Sequence, residues 1–182
     1  MMSKLVIVED SPTQRLFLKK ILEKAGFETV DFPNGKEALS YIKQNPPDLI
    51  ISDINMPQMD GWEFIQHLKQ DPSVRDIPVI FITATFKDKE SVIKGFKAGV
   101  EDYIFEPFDG EELIFRIKAV LRIFGIKKEL EKMNEELKKK LRELEIFKEA
   151  SVEREMRIIE LKREVNELRE KLGLELKYKI TK

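Results

Sequence analysis

Four apolar runs of the sequence lead into groups that could bind a cation or handle a phosphoryl group. "LVIV" (5–8) is followed by Glu9 and Asp10, and "LIIS" (49–52) by Asp53. "VIFIT" (79–83) closes on Thr83, and "DYIF" (102–105) runs into Glu106 and Pro107. If these runs are parallel strands of an open α/β sheet, their carboxyl ends gather where such sheets bind ligands. Glu9, Asp10 and Asp53 would repel one another there unless a hard divalent cation sat among them, and carboxylate oxygens suit Mg²⁺. Asp53, alone at the end of the central strand, is then a candidate nucleophile toward phosphorus. Thr83 can donate a hydrogen bond to a phosphoryl oxygen, and one positive group would complete the site.

The elements needed to hold these ends together are legible. A fifth run, "TVDF" (29–32), is more polar than the other four and reads as an edge strand. The other four are short, apolar and largely β-branched or aromatic, as strands covered on both faces are. Helical stretches lie between them, over 12–25, 35–44, 61–70, 88–98 and from 109 onward. Gly26, "PNG" (33–35), "NPP" (45–47), "DPS" (71–73) and Gly99 punctuate the chain. Five β/α units in this length predict an α/β domain with a parallel sheet.

The segments "VIVEDSPTQR" (6–15), "LIISDINMPQMDGWEF" (49–64), "VIFITA" (79–84) and "DYIFEPF" (102–108) resemble response-regulator receiver domains of two-component signalling. The resemblance covers residues 4 to about 122. It implies a flavodoxin-like five-stranded parallel sheet, order 2-1-3-4-5, with helices on both faces. It implies Asp53 as phosphoacceptor, and Glu9, Asp10, Asp53 and the backbone carbonyl of Asn55 as ligands of Mg²⁺. Thr83 would be the switch hydroxyl and Tyr103 the switch aromatic that rotates inward. A sensor histidine kinase or phosphotransfer protein would be the partner, and catalysis would be confined to the domain's own phosphorylation and dephosphorylation. One position departs from the pattern. Glu106 stands where receivers carry a lysine, so an anion replaces the cation that holds the phosphoryl group. Lys87 could supply a substitute. Two other readings remain open: a phosphate-independent pseudo-receiver that acts as a scaffold, and a Mg²⁺-dependent phosphatase using an aspartyl phosphate.

Bulk composition narrows the classes further. There is no cysteine, which excludes thiol catalysis and thiolate metal sites, and the single histidine, His67, excludes a His-rich cluster. The net charge is −1, which argues for neither nucleic acid nor an anionic membrane. No apolar run approaches the ~18 residues that span a bilayer, and the N-terminus does not read as a secretory signal. A cytoplasmic protein is expected.

Composition shifts after residue 122. Residues 1–122 carry 16 basic and 20 acidic side chains, whereas residues 123–182 carry 17 and 14. All eight prolines fall at or before Pro107. The helix that begins near Asp109, with Glu112 as its capping-box partner, therefore has no stop before Gly173. Residues 1–122 are read as the receiver-like domain, 123–173 as a helical coiled-coil extension and 174–182 as a short extended or frayed tail. Apolar residues recur at Ile126, Leu130, Met133 and Leu137, step through a stutter to Leu141 and Leu144, and resume at Ile158, Leu161, Val165, Leu168 and Leu172. Such a stripe wants a partner helix, supplied either by a second copy in a parallel homodimer, which is the expectation, or by another protein. The stretch 147–155 interrupts the pattern and leaves open a continuous helix or a hairpin. The pairs Glu135–Lys139, Glu136–Lys140, Glu153–Arg157 and Glu167–Lys171 would support the helix. No helix-turn-helix or aromatic-basic patch is present in the sequence, so nucleic acid is not expected as a partner.

Overall fold

Strands and helices alternate through the first two thirds of the chain: β1 (Lys4–Val8), α1 (Pro12–Lys24), β2 (Glu28–Phe32), α2 (Gly35–Ile42), β3 (Leu49–Asp53), α3 (Gly61–Gln70), β4 (Val79–Thr83), α4 (Lys89–Ala98), β5 (Asp102–Phe105) and α5 (Gly110–Lys171). The computed structural model describes residues 2–84 and 89–179; Lys87 lies outside them. The strands form one parallel sheet in the order β2-β1-β3-β4-β5. The polar strand β2 is at an edge, as its sequence predicts.

The sheet sorts its side chains by the period-2 rule. Val6, Val8, Ile50, Val79, Phe81 and Tyr103 face one way and pack with Ala38, Phe64, Ile65 and Leu68. Leu5, Ile7, Leu49, Ile51, Ile80, Ile82 and Ile104 face the other way and pack with Leu18, Leu22, Leu113 and Ile117. Both faces are dry, which is why these strands read as continuous apolar runs.

The helices start where capping groups stand. Ser11 accepts from the Gln14 N–H, Asn34 from the Glu37 N–H and Asp60 from the Glu63 N–H. These three caps lie in loops at the carboxyl ends of β1, β2 and β3, so they also set the loops around the site. At α5, Asp109 Oδ1 accepts from the Glu111 N–H. Glu112 does not close the expected capping box; its carboxylate pairs with Arg116, which also binds Asp102.

The chain divides into two compact units, Met1–Lys127 and Lys128–Lys182. In the second unit the helix continues through 147–155 to Lys171, so the hairpin is not formed. Its apolar stripe is exposed. Arg157 pairs with Glu160 rather than with Glu153. After Gly173 (φ 68°) the chain turns back on itself. Asn166 Oδ1 accepts from the N–H groups of Lys177 and Tyr178, its Nδ2 donates to the Tyr178 carbonyl, and Arg169 Nε donates to the Glu175 carbonyl. Residues 174–179 are thus held against the last turns of the helix instead of fraying.

Candidate functional site

The end of β1 is fixed from two sides. The Glu9 N–H donates to the Phe32 carbonyl of the neighbouring strand. Arg15, one turn into α1, reaches back with Nη1 to the carbonyl oxygens of Glu9 at 2.6 Å and Asp10 at 3.4 Å, while its Nε binds Asp31 at 3.0 Å. The guanidinium therefore stitches the loop that carries both acids to strand β2. Glu9 is only 3% exposed, and its Oε1 accepts from the Ser11 N–H at 3.0 Å. Burial, opposed by that hydrogen bond and reinforced by the charges of Asp53, Asp10 and Glu106, pushes its carboxyl up to about 7.

Asp53 closes β3 and is half-buried. Burial raises its carboxyl above the ordinary range and the charge of Asp10 adds to this, while hydrogen bonds from the backbone N–H groups of Ile54 and Asn55 work against it. The following loop is pressed hard against the strand. The Gly61 N–H donates to the Ile54 carbonyl at 2.8 Å. A Cβ at Gly61 would lie 2.7 Å from the Asp53 carbonyl oxygen and 2.8 Å from the Ile54 Cα, both backbone atoms that cannot give way. Glycine is what lets α3 begin this close to the acid.

Thr83, 1% exposed, ends β4, and the Glu106 N–H donates to its carbonyl at 3.0 Å. This bond seats the turn after β5 beside the end of β4. Glu106 precedes Pro107 through a cis peptide. Its Oε1 accepts a hydrogen bond from the side-chain amide of Gln14 on α1. Tyr103 lies inside the sheet–α4 layer, 3% exposed, with its ring centroid 5.6 Å from that of Phe81 and 5.5 Å from that of Phe96.

Glu9, Asp10 and Asp53 each offer an oxygen within 4.8 Å of the others. The donors are oxygens only, graded from buried Glu9 through half-buried Asp53 to exposed Asp10. That set fits a hard divalent cation such as Mg²⁺, open to solvent on one side. Asn55 follows on the same loop. The fold therefore brings together the acids, the acceptor candidate and the strand carrying Thr83. Two residues of this neighbourhood escaped the sequence reading, Gln14 and Arg15. Their only signal was a position one turn beyond the acidic pair, on a helix whose rotation the sequence leaves open.

A family model described as response regulator receiver domain matches residues 5–118. The phosphate regulon transcriptional regulatory protein PhoB of Escherichia coli (strain K12) is 38% identical over 122 residues, 67% of this chain and 53% of that one. The chain spans about half the length of the curated relatives it matches. Among solved structures, the receiver domain of a signal transduction histidine kinase from Syntrophus aciditrophicus is 41% identical with a TM-score of 0.61, over 66% of this chain and 90% of that one. Chemotaxis response regulator CheY4 of Vibrio cholerae is 30% identical with a TM-score of 0.62, over 66% and 99%.

Proposed function

The chain belongs to the response regulator receiver domain family, and on that premise we propose that Asp53 accepts a phosphoryl group and that the long helix passes the signal on. The observation that carries this reading is the convergence of Glu9, Asp10 and Asp53 within 4.8 Å beside the end of β4. An Asp53 carboxylate oxygen attacks the phosphorus of a phosphohistidine on a sensor kinase or phosphotransfer protein. The P–O bond forms, the P–N bond breaks, and its electron pair stays with the imidazole. Glu9, Asp10, Asp53 and the carbonyl of Asn55 would hold Mg²⁺, which would offset negative charge on the phosphoryl oxygens. Thr83 then turns its hydroxyl to a phosphoryl oxygen, and Tyr103 answers from the adjacent strand. The altered face is made by α4, β5 and α5. Since α5 runs on into the apolar stripe, a parallel second copy is the proposed reader of that change; among the described residues no helix is long and apolar enough to cross a membrane.

Glu106 favours a second reading, a pseudo-receiver that binds partners without phosphate. Incubation with Mg²⁺ and acetyl phosphate, followed by intact-mass measurement, separates the two. One added phosphoryl group, lost in Asp53→Asn, supports the acceptor. Mg²⁺ binding with no mass gain supports the scaffold. Glu106→Lys restores a cation at the rim and should raise the rate by about 10- to 100-fold. If native protein is phosphorylated as fast as Glu106→Lys, Glu106 is no impairment.

A further inference from the structure

The bond from α1 to the turn after β5 is a feature of the pocket that the acceptor chemistry does not use. Gln14 lies one turn beyond the Ser11 cap of α1, and Glu106 is 92 residues further along. The Gln14 amide donates to Glu106 Oε1, and the Glu106 N–H donates to the Thr83 carbonyl, so both ends of this residue are tied. Glu106 is the fourth carboxylate of the strand ends. It is nevertheless outside the trio whose oxygens lie within 4.8 Å of one another. Arg15 follows Gln14 but spends its guanidinium on the carbonyls of Glu9 and Asp10 and on Asp31. The group turned toward Glu106 from α1 is therefore a neutral amide. It holds the carboxylate without cancelling its charge.

We propose that Gln14 is a positioning residue of the pocket: its amide tethers Glu106 at the rim, apart from the oxygens of Glu9, Asp10 and Asp53. The tether sets how many carboxylates face a divalent cation, and it keeps an anion off the path by which a phosphoryl group reaches Asp53. The second consequence rests on the acceptor reading; the first rests on metal binding alone.

Gln14→Met keeps the length and helical preference of the side chain and removes the donor. Glu106 then relaxes inward. Mg²⁺ should bind about three- to tenfold more tightly, because another carboxylate faces it, while phosphorylation by acetyl phosphate slows. Gln14→Lys keeps the tether and adds a cation, so both effects should reverse: weaker Mg²⁺ binding and faster phosphorylation. A purely structural role would not move the two readouts in opposite directions. Both are measured on the full chain, Mg²⁺ by calorimetry and phosphorylation by intact mass, in native protein, Gln14→Met, Gln14→Lys, Glu106→Ala and Gln14→Met/Glu106→Ala. The Met effect on Mg²⁺ should vanish in the Glu106→Ala background. Unchanged Mg²⁺ affinity in Gln14→Met, or the same change with Glu106 already removed, overturns the proposal. If the Mg²⁺ pattern holds and no variant gains a phosphoryl group, the tether stands and the acceptor reading falls. If phosphorylation is brisk and Mg²⁺ affinity ignores residue 14, the reverse is true.

Discussion

Leu5, Ile7, Ile50 and Phe81 in the first unit are 0% exposed, while Leu130, Leu141 and Leu168 in the second are 64, 51 and 59% exposed. Side chains of one class meet opposite fates in one chain. The first unit has a sheet to supply the other half of every apolar contact, on both of its faces. The second has one helix and a six-residue return strap, 174–179, that is held chiefly by polar bonds to Asn166 and Arg169. A buried leucine is worth roughly 1.5–3 kcal/mol. The first unit collects that energy by folding, whereas the second can collect it only by association.

The widest test of this contrast is to charge the stripe. Leu161→Asp with Leu168→Asp places two carboxylates among residues that a partner helix would cover. Each substitution costs a few kcal/mol in a coiled-coil seam, so the association constant should fall by more than about 100-fold. Light scattering should report a dimer for native protein at tens of micromolar and a monomer for the double variant. The melting transition of the first unit should stay in place. Residues 1–127 alone should be monomeric and folded. A native chain that is monomeric at that concentration breaks the comparison at its second term.

How much of this was legible depended on the range of the determining contact. The strands and the acidic trio could be read because residue type and strand end are local features, and parallel pairing then brings them together without further choice. The apolar stripe was legible for the same reason, being a period along one helix. The Gln14–Glu106 bond was not, since it depends on the rotation of α1 about its axis and on where a turn 92 residues away is seated. The strap at 174–179 was missed because its grip comes from Asn166, a single polar residue on a helix face that looked solvated. The i, i+4 ion pairs were expected from spacing, but exposed side chains choose among several rotamers, and Arg157 took Glu160. Glu112 did likewise with Arg116.

Glu9 departs from the apolar rule of the packed unit, since it is buried among other acids. Its folded-state value of about 7 lies above the ordinary 4.5. A raised carboxyl contributes stability that is fully present below about pH 4.5 and is lost as pH rises through about 7. In EDTA the protein should therefore lose on the order of 3 kcal/mol of stability from this group between pH 4 and pH 8, read by urea unfolding across that range. Asp53 is shifted in the same direction and should steepen the fall. Mg²⁺ should flatten it by binding the ionised carboxylates of the folded state. Glu106→Gln removes one of the charges that raise Glu9 and should flatten it less. A metal-free profile that rises from pH 5 to pH 8 would show the trio to be more solvated than its geometry implies.

The smallest expected effect probes how closely the first unit is packed. A Cβ on Gly95 would stand 1.4 Å from Tyr103 Oη and 2.5 Å from its Cζ. Tyr103 occupies that slot with its hydroxyl buried and, among the described residues, without a hydrogen-bond partner, and burial pushes its ionisation up to about 12. Helix preference alone makes Gly→Ala favourable by about 1 kcal/mol, so the sign of the change is diagnostic. Gly95→Ala should instead destabilise by about 1–3 kcal/mol, the usual cost of overpacking, as the ring is driven out toward solvent. Tyr103→Phe removes the unpaired hydroxyl and should be neutral or stabilising by up to about 1 kcal/mol. It should rescue Gly95→Ala only in part, because the ring carbon at 2.5 Å remains. In a Tyr103→Ala background the slot is empty, and Gly95→Ala should then show its helix preference and stabilise. Urea unfolding of the six proteins gives the couplings, and near-ultraviolet circular dichroism follows the ring. A stabilising Gly95→Ala with Tyr103 intact would mean that the ring leaves the slot at little cost, and the layer beneath α4 would be looser than the core on the other face of the sheet.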